Sequence, residues 1–523
     1  MSSQNKFRVK DLSKAKEDID LGNDPHGGEH KLVRALTAFD LISLGIGCII
    51  GTGIFVLTGI AASNYAGPGV FFSFILAGFA CALAAFVYSE FASLVPLSGS
   101  AYTYVYFTLG ELAAWLIGWN LLLEYLVSVS VVAIGWSAYF NNLLENFGLS
   151  IPAVLTAAPG NADVPGAIMN LPATCIIILL TILGLAGIKN SSSFNNIIVA
   201  IKVAVVLFFI IFGLFHINLS YWDPFIPERV ATTAGQQMDI LHLPFNEFVF
   251  KIISGTIGVQ SDLVYHYGWQ GVVTAAGIVF FAYIGFDAVS TVAEESKNPQ
   301  RDLPIGIIGS LIVCTILYLC VSLVLAGLIP VTIDGKPNPD LTGHNAGAAL
   351  AVAFSKLGFK WAATVVSFGA LCGMTSIILV MIVAQARILF AMSRDGLLPK
   401  FFSNIHPTLR TPHTATIFTG ICSAIIAAFT PILIVAELTS IGTLAAFTFV
   451  SLSVLILRKT KPELKAKFRA PWMPFTALGG ILVNVFLMGG LPTATWLRFA
   501  IWMVIGISLY YGYGYWNSKM RKN

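Results

Sequence analysis

Two stretches of this chain carry residue types suited to polar chemistry in an apolar setting. The first is Gly45-Ile46-Gly47-Cys48-Ile49-Ile50-Gly51-Thr52-Gly53-Ile54-Phe55. Glycines and a threonine at the centre of an apolar run are poor helix formers. They fit close helix packing through small residues, and they equally fit a break in the helix. A break frees backbone N–H and C=O groups, which at membrane depth need a ligand, water or other protein groups. The second stretch is Phe280-Phe281-Ala282-Tyr283-Ile284-Gly285-Phe286-Asp287, where a glycine between bulky aromatics is followed by an acid. A half-helix N-terminus at Thr52 and Gly53, with Ile49 and Gly51 beside it, presents N–H groups and a positive dipole end, which suits a carboxylate. Unwound carbonyls around Phe281, Ala282 and Ile284 suit an ammonium group. An α-amino acid carries both charges on one carbon and matches two breaks that face each other.

Three ionisable residues stand near these stretches in the apolar pattern. Lys202 lies ~13 Å along its helix from Ser193, near mid-membrane. An ammonium at that depth is costly and faces the bundle interior. It either exchanges a proton or serves as a permanent counter-ion to backbone carbonyls. Glu124, in Asn120-Leu121-Leu122-Leu123-Glu124-Tyr125, is too deep to be a solvated residue. It pairs with Lys202, takes part in proton movement, or satisfies a helix break. Asp287 follows the second break directly. Glu294 and Glu295 read as a gate or a surface ion-pair cluster, and Glu90 as structural.

The elements that must position these groups are membrane helices. Of 523 residues 56% are apolar and 11% charged, with mean hydropathy +0.81. A soluble chain is about one-quarter charged, so the natural solvent for this surface is lipid. A bilayer core of ~30 Å takes ~20 apolar helical residues. Twelve such runs are found: 36–63, 68–95, 101–140, 169–187, 193–217, 270–294, 304–329, 359–392, 413–430, 432–457, 473–491 and 494–516. The third and eighth exceed one crossing and are expected to tilt or project. Basic residues fall in the tail before the first run and in alternate loops (Lys189; Lys297 and Arg301; Arg394, Lys400 and Arg410; Arg458 to Arg469), and again at the C-terminus. This bias places both termini in the cytoplasm. The mixed segment 218–269 is expected to form a partly helical extracellular cap, and 344–357 an amphipathic helix at the interface.

The pattern also excludes functions. The seven cysteines (Cys48, Cys81, Cys175, Cys314, Cys320, Cys372 and Cys422) all lie in apolar runs without a CxxC pair. They read as small buried hydrophobes rather than a disulfide or zinc framework. The histidines show no metal-ligand spacing and no phosphate-binding loop is present, so no metal, no cofactor and no ATP-driven step is expected. A net charge of +4, with basic residues at helix ends, gives no nucleic-acid groove. The polar first thirty residues lack the apolar core of a signal peptide.

Five motifs in order, Gly45–Phe55, Pro96–Tyr104 (PLSGSAYTY), Gly118–Tyr125 (GWNLLLEY), Phe280–Asp287 followed by Glu294–Pro299 (EESKNP), and Ala386–Pro399 (ARILFAMSRDGLLP), resemble the amino acid–polyamine–organocation superfamily. Within it the chain is most similar to bacterial members of the cationic amino acid transporter family, over nearly all of 30–516. The resemblance implies an all-α integral membrane fold of about twelve helices. It implies two inverted five-helix repeats, 36–217 and 270–457, with broken first and sixth helices, joined by 218–269 and followed by two further helices in 458–523. It implies secondary transport by alternating access, not enzymatic catalysis, in a plasma membrane such as the bacterial inner membrane. Thr52, Gly53 and Gly51 match the carboxylate site, and Phe281, Ala282 and Ile284 the carbonyls for the amino group, with Phe281 as a gate ring. Lys202 matches the lysine that replaces sodium in proton-coupled members, and Glu124 a family carboxylate.

Met374, in Gly369-Ala370-Leu371-Cys372-Gly373-Met374, is expected to line the side-chain pocket or simply to fill the core. A thioether there favours a small neutral substrate such as alanine. A cationic amino acid or polyamine is the alternative substrate, and an amino acid sensor the alternative of another class, although neither tail is long enough to suggest a signalling extension. Protons and lipid are the expected partners, and an accessory subunit is left open.

Overall fold

Thr37 begins the first helix. Its hydroxyl accepts from the Asp40 N–H at 3.4 Å, while the Asp40 carboxylate accepts from the Thr37 N–H at 2.9 Å. This reciprocal cap satisfies two of the N–H groups that a helix start leaves open. The computed structural model describes residues 35–94, 100–161, 164–185, 192–231, 240–254, 265–333, 335–342, 346–406, 411–460, 462 and 466–522. The N-terminal tail and its basic residues, Lys189, Arg410, Lys461, Lys465, residues 96–99 of the PLSGSAYTY motif and the side chain of Glu294 lie outside them.

Helices dominate. In chain order they are α1 (Ala38–Ile49), α2 (Val70–Leu94), α3 (Ser100–Tyr106), α4 (Glu111–Asn146), α5 (Leu171–Leu185), α6 (Ser192–Leu214), α7 (Phe245–Ile253), α8 (Gly268–Val279), α9 (Pro299–Leu328), α10 (Ala349–Lys356), α11 (Lys360–Arg394), α12 (His413–Phe429), α13 (Ile432–Thr460), α14 (Phe475–Gly489) and α15 (Thr493–Leu509). Between them stand helices of four residues or fewer, π and 3-10 turns, and two antiparallel pairs of two-residue strands.

Among the described residues eight helical stretches are long and apolar enough to cross a bilayer. They are Gly53–Leu94, Glu111–Asn146, Asn196–Leu214, Gly268–Ser290, Pro299–Leu328, Lys360–Arg394, Ile432–Thr460 and Thr493–Asn517. Four shorter apolar helices, α1, α5, α12 and α14, accompany them. Large apolar side chains point outward along several of these, including Ile178 and Ile182 on α5, Ile421 and Ile425 on α12, Leu482 on α14 and Ile501 and Val504 on α15. An apolar exterior on this scale belongs to a lipid-facing protein.

Two expectations change. The run 101–140 is not one long helix. It divides at Gly110, whose φ of 90° is left-handed, so α3 and α4 meet at a corner that a side-chain-bearing residue adopts only with strain. The described part of 344–357 does not lie on a surface by one face. Ala349 to Phe354 of α10 are all buried, because five small or compact residues let it sink among α11, α9 and the turns after the first break. The 218–269 segment is partly helical, as expected, through Leu219–Trp222, Ile240–His242 and α7. It also pairs Val230–Ala231 with Tyr265–His266.

The interior is built by α4 against α11 and α13, and by α9 against α1 and α2. A half-buried ion pair fixes the far end of α2. Arg458 of α13 donates to Glu90 from Nε at 2.8 Å and from Nη2 at 2.6 Å, and the Ala470 N–H adds a third bond at 2.8 Å. That geometry supports the structural reading of Glu90.

Candidate functional site

The first helix ends where the glycines gather. Ile50 leaves helical geometry (φ −72°, ψ 101°), and the chain resumes at Gly53–Leu57 as a π turn. The N–H groups of Ile54 and Phe55 both return to the Gly51 carbonyl, each at 3.2 Å. The N–H groups of Gly51, Thr52 and Gly53 are left without a backbone acceptor among the described residues. The second interruption begins as α8 tightens into a 3-10 turn over Phe280–Tyr283. Ile284 is then extended (φ −61°, ψ 137°) and Gly285 has φ 114°. A 3-10 segment, Asp287–Glu295, follows.

The two breaks touch. A Cβ on Gly53 would collide with the Cα of Ala282, and one on Gly285 would lie 2.9 Å from the Cys48 carbonyl oxygen. Glycine at both places permits backbone to approach backbone. Tyr318 of α9 spans the gap: its hydroxyl lies 2.8 Å from the Ile49 carbonyl and 2.9 Å from the Ala282 carbonyl. Sequence reasoning missed Tyr318, and its only signal was a lone tyrosine in an apolar run.

A narrow cavity lies at this junction, lined by Cys48, Ile49, Gly51, Thr52 and Gly53 from the first break and by Phe281 and Ile284 from the second. Ser128 and Val132 of α4 and Ile377 and Met381 of α11 close it. Seven of the eleven were within or beside the expected motifs; Ser128, Val132, Ile377 and Met381 were not anticipated. Ser128 was findable, since it lies one helical turn from Glu124. Met374 is buried, and its sulfur accepts the Thr52 hydroxyl at 3.3 Å. The residues of α11 that line the cavity are Ile377 and Met381, one and two turns further on. Ala282 backs Gly53 rather than lining the space.

Lys202 of α6 is fully buried. Its ammonium donates to the Gly47 carbonyl at 2.7 Å, two residues before the end of α1. Gly373 of α11 makes room for its stem, because a Cβ there would stand 3.1 Å from Lys202 Cε. No carboxylate lies within ion-pair distance of Lys202 among the described residues. Of the roles open to Glu124, pairing with Lys202 is not present: the amine meets a helix-end carbonyl on α1, the kind of partner its counter-ion alternative named, whereas Glu124 sits on α4 in the field of Asp287, beside Thr443. The Tyr125 hydroxyl donates to Asp287 Oδ2 at 3.5 Å. Cys48 stands between the two systems, in the fields of both Lys202 and Asp287.

The sequence pattern described as amino acid permease matches residues 36–510. The chain belongs to the amino acid permease family. Among the permease's relatives, the methylthioribose transporter of Bacillus subtilis (strain 168) is 45% identical over 491 residues, covering 94% of this chain and 95% of the relative. The branched-chain amino acid permease BcaP of the same organism is 43% identical over 496 residues, covering 95% and 96%. Cationic amino acid transporter 4, vacuolar, of Arabidopsis thaliana is 37% identical over 440 residues, covering 83% and 65%. The family and these relatives are transporters. The permease is thus a membrane-embedded transport protein of the amino acid–polyamine–organocation superfamily.

Proposed function

We propose that this permease imports small neutral L-amino acids such as alanine, in symport with protons, by alternating access. The carrying observation is the bond from the Lys202 ammonium to the Gly47 carbonyl, at the end of a helix whose next turn is the first break. A proton lost from Lys202 turns that tie from a charge-assisted bond into a weaker neutral one, so the charge on one amine bears directly on the geometry of the binding break. In this reading the substrate carboxylate meets the N–H groups of Gly51, Thr52 and Gly53, and its ammonium meets the carbonyls of Phe281, Ala282 and Ile284. Glu124 and Asp287 take part in proton movement.

Two features of the lining favour a small neutral side chain. None of the eleven lining residues is an acid, and aliphatic and thioether groups from Ile377 and Met381 occupy the α11 side. The architecture we infer has twelve crossings with both termini in the cytoplasm of a bacterial inner membrane. Two inverted halves, 36–217 and 270–457, each carry one break, the segment 218–269 is extracellular, and 458–523 adds two helices. A second reading, transport of a cationic amino acid or polyamine, draws on the names of several relatives and on Glu124, one turn from the lining Ser128.

Uptake into proteoliposomes tests both. Labelled alanine accumulates when an inward proton gradient is imposed, and labelled arginine does not. Alanine uptake that ignores the gradient removes the symport claim, and arginine uptake without alanine uptake reverses the substrate.

A further inference from the structure

One face of α4 carries more polarity than the cavity uses. Asn120, Glu124 and Ser128 recur at four-residue spacing, so they form a single stripe along the helix. All three are buried, at 0%, 2% and 1% exposure. Both side-chain polar atoms of Asn120, Glu124 Oε1 and Ser128 Oγ have no hydrogen-bond partner among the described residues. The Tyr88 hydroxyl of α2 is in the same condition and lies in the fields of both Glu124 and Asp287. Ser128 lines the substrate cavity. Asn120 lies ~12 Å further along α4 toward its Glu111 end.

A structural polar network bonds its members to one another, and buried polar groups are otherwise satisfied by water. Here the donors and acceptors follow one line away from the cavity and stay open to a small polar guest. Within a bilayer such a line is more costly than in a soluble core, so it marks a solute or ion route.

We propose that this stripe, with Tyr88 and Asp287 facing it, is a water-holding passage that continues the substrate cavity toward the Glu111 end of α4 and opens on that side during the cycle. The proposal rests on the transporter reading. Glu124 stands midway along the passage, where it hands protons to water. Asn120 lines the outlet.

The test uses the full-length transporter in proteoliposomes. Asn120→Cys is exposed to a membrane-impermeant thiosulfonate from each face in turn, and adducts are located by peptide mass spectrometry, which separates residue 120 from the seven native cysteines. Lys400→Cys, at an exposed position, marks the face near the end of α11. An adduct at residue 120 is expected from that same face only. As a companion, Asn120→Leu is expected to lower alanine uptake at least tenfold, while Asn120→Ser keeps most of it. The passage is overturned by the absence of any adduct at residue 120 in protein that transports alanine, or by wild-type uptake in Asn120→Leu. If the wild-type chain carries no alanine, the substrate reading falls and the labelling alone decides the passage.

Discussion

The Lys202 ammonium donates to the Gly47 carbonyl at 2.7 Å, inside a fully buried setting where no carboxylate answers it among the described residues. A charge at membrane depth is normally paired. Here it is held by the free end of an interrupted helix, whose C-terminal carbonyls carry the negative end of the dipole. The tie is made to the element that the substrate is proposed to bind.

Lys202→Ala therefore is expected to abolish gradient-driven accumulation of alanine while the protein still inserts and folds. Counterflow of labelled against unlabelled alanine, which needs no gradient, separates coupling from binding. Accumulation at wild-type level in the variant would make Lys202 a purely structural residue.

Tyr318→Phe removes one hydroxyl that serves two buried carbonyls, those of Ile49 and Ala282. Its single O–H is shared between them, and leaving a buried acceptor without its donor costs about 1–3 kcal/mol. The melting temperature in detergent is expected to fall, and the KM for alanine to rise, since both breaks lose the group that spans them. An unchanged KM with a lowered melting temperature would confine Tyr318 to stability.

Gly53→Ala drives a Cβ into the backbone of Ala282, where no side chain can move aside. Overpacking of this kind costs about 1–3 kcal/mol, and here it also separates the two breaks. Alanine binding measured by calorimetry is expected to weaken at least tenfold. Gly184→Ala is the control, since a Cβ there meets only side-chain atoms at 3.6 and 3.8 Å, and binding is expected to be retained.

The two methionines of α11 are expected to separate. Met381 lines the cavity, so Met381→Ala enlarges it and lets leucine compete with alanine for uptake. Met374 instead holds the Thr52 hydroxyl, so Met374→Ala weakens alanine binding first. Competition assays with a series of aliphatic amino acids distinguish the two outcomes.

The breaks were legible because they are local. Gly51 and Gly53 in the first, and Gly285 in the second, are residues whose weak helix preference is visible without knowing their neighbours. The apolar runs were legible for the same reason: a bilayer reads composition over a window. What failed was contact between distant parts of the chain. Charge alone left Lys202 a choice between Glu124 and backbone carbonyls, and only the fold shows that the Gly47 carbonyl on α1 is the one it meets. Tyr318 gave no pattern, because its two acceptors lie 269 and 36 residues away. Gly110 interrupts an otherwise continuous apolar run, and only its positive φ shows that the chain turns there. In 344–357 the alternation of small and apolar residues read as amphipathic, whereas alanines in a membrane protein serve close packing as readily as exposure.

The account stands on backbone groups at two breaks receiving both charges of one amino acid. A high-resolution structure with alanine bound tests that most directly. The predicted result places the carboxylate within hydrogen-bond distance of the N–H groups of Gly51–Gly53 and the ammonium against the carbonyls of Phe281, Ala282 or Ile284. Alanine held by side chains away from both breaks, with the Gly51–Gly53 amides bonded only within the protein, would contradict it.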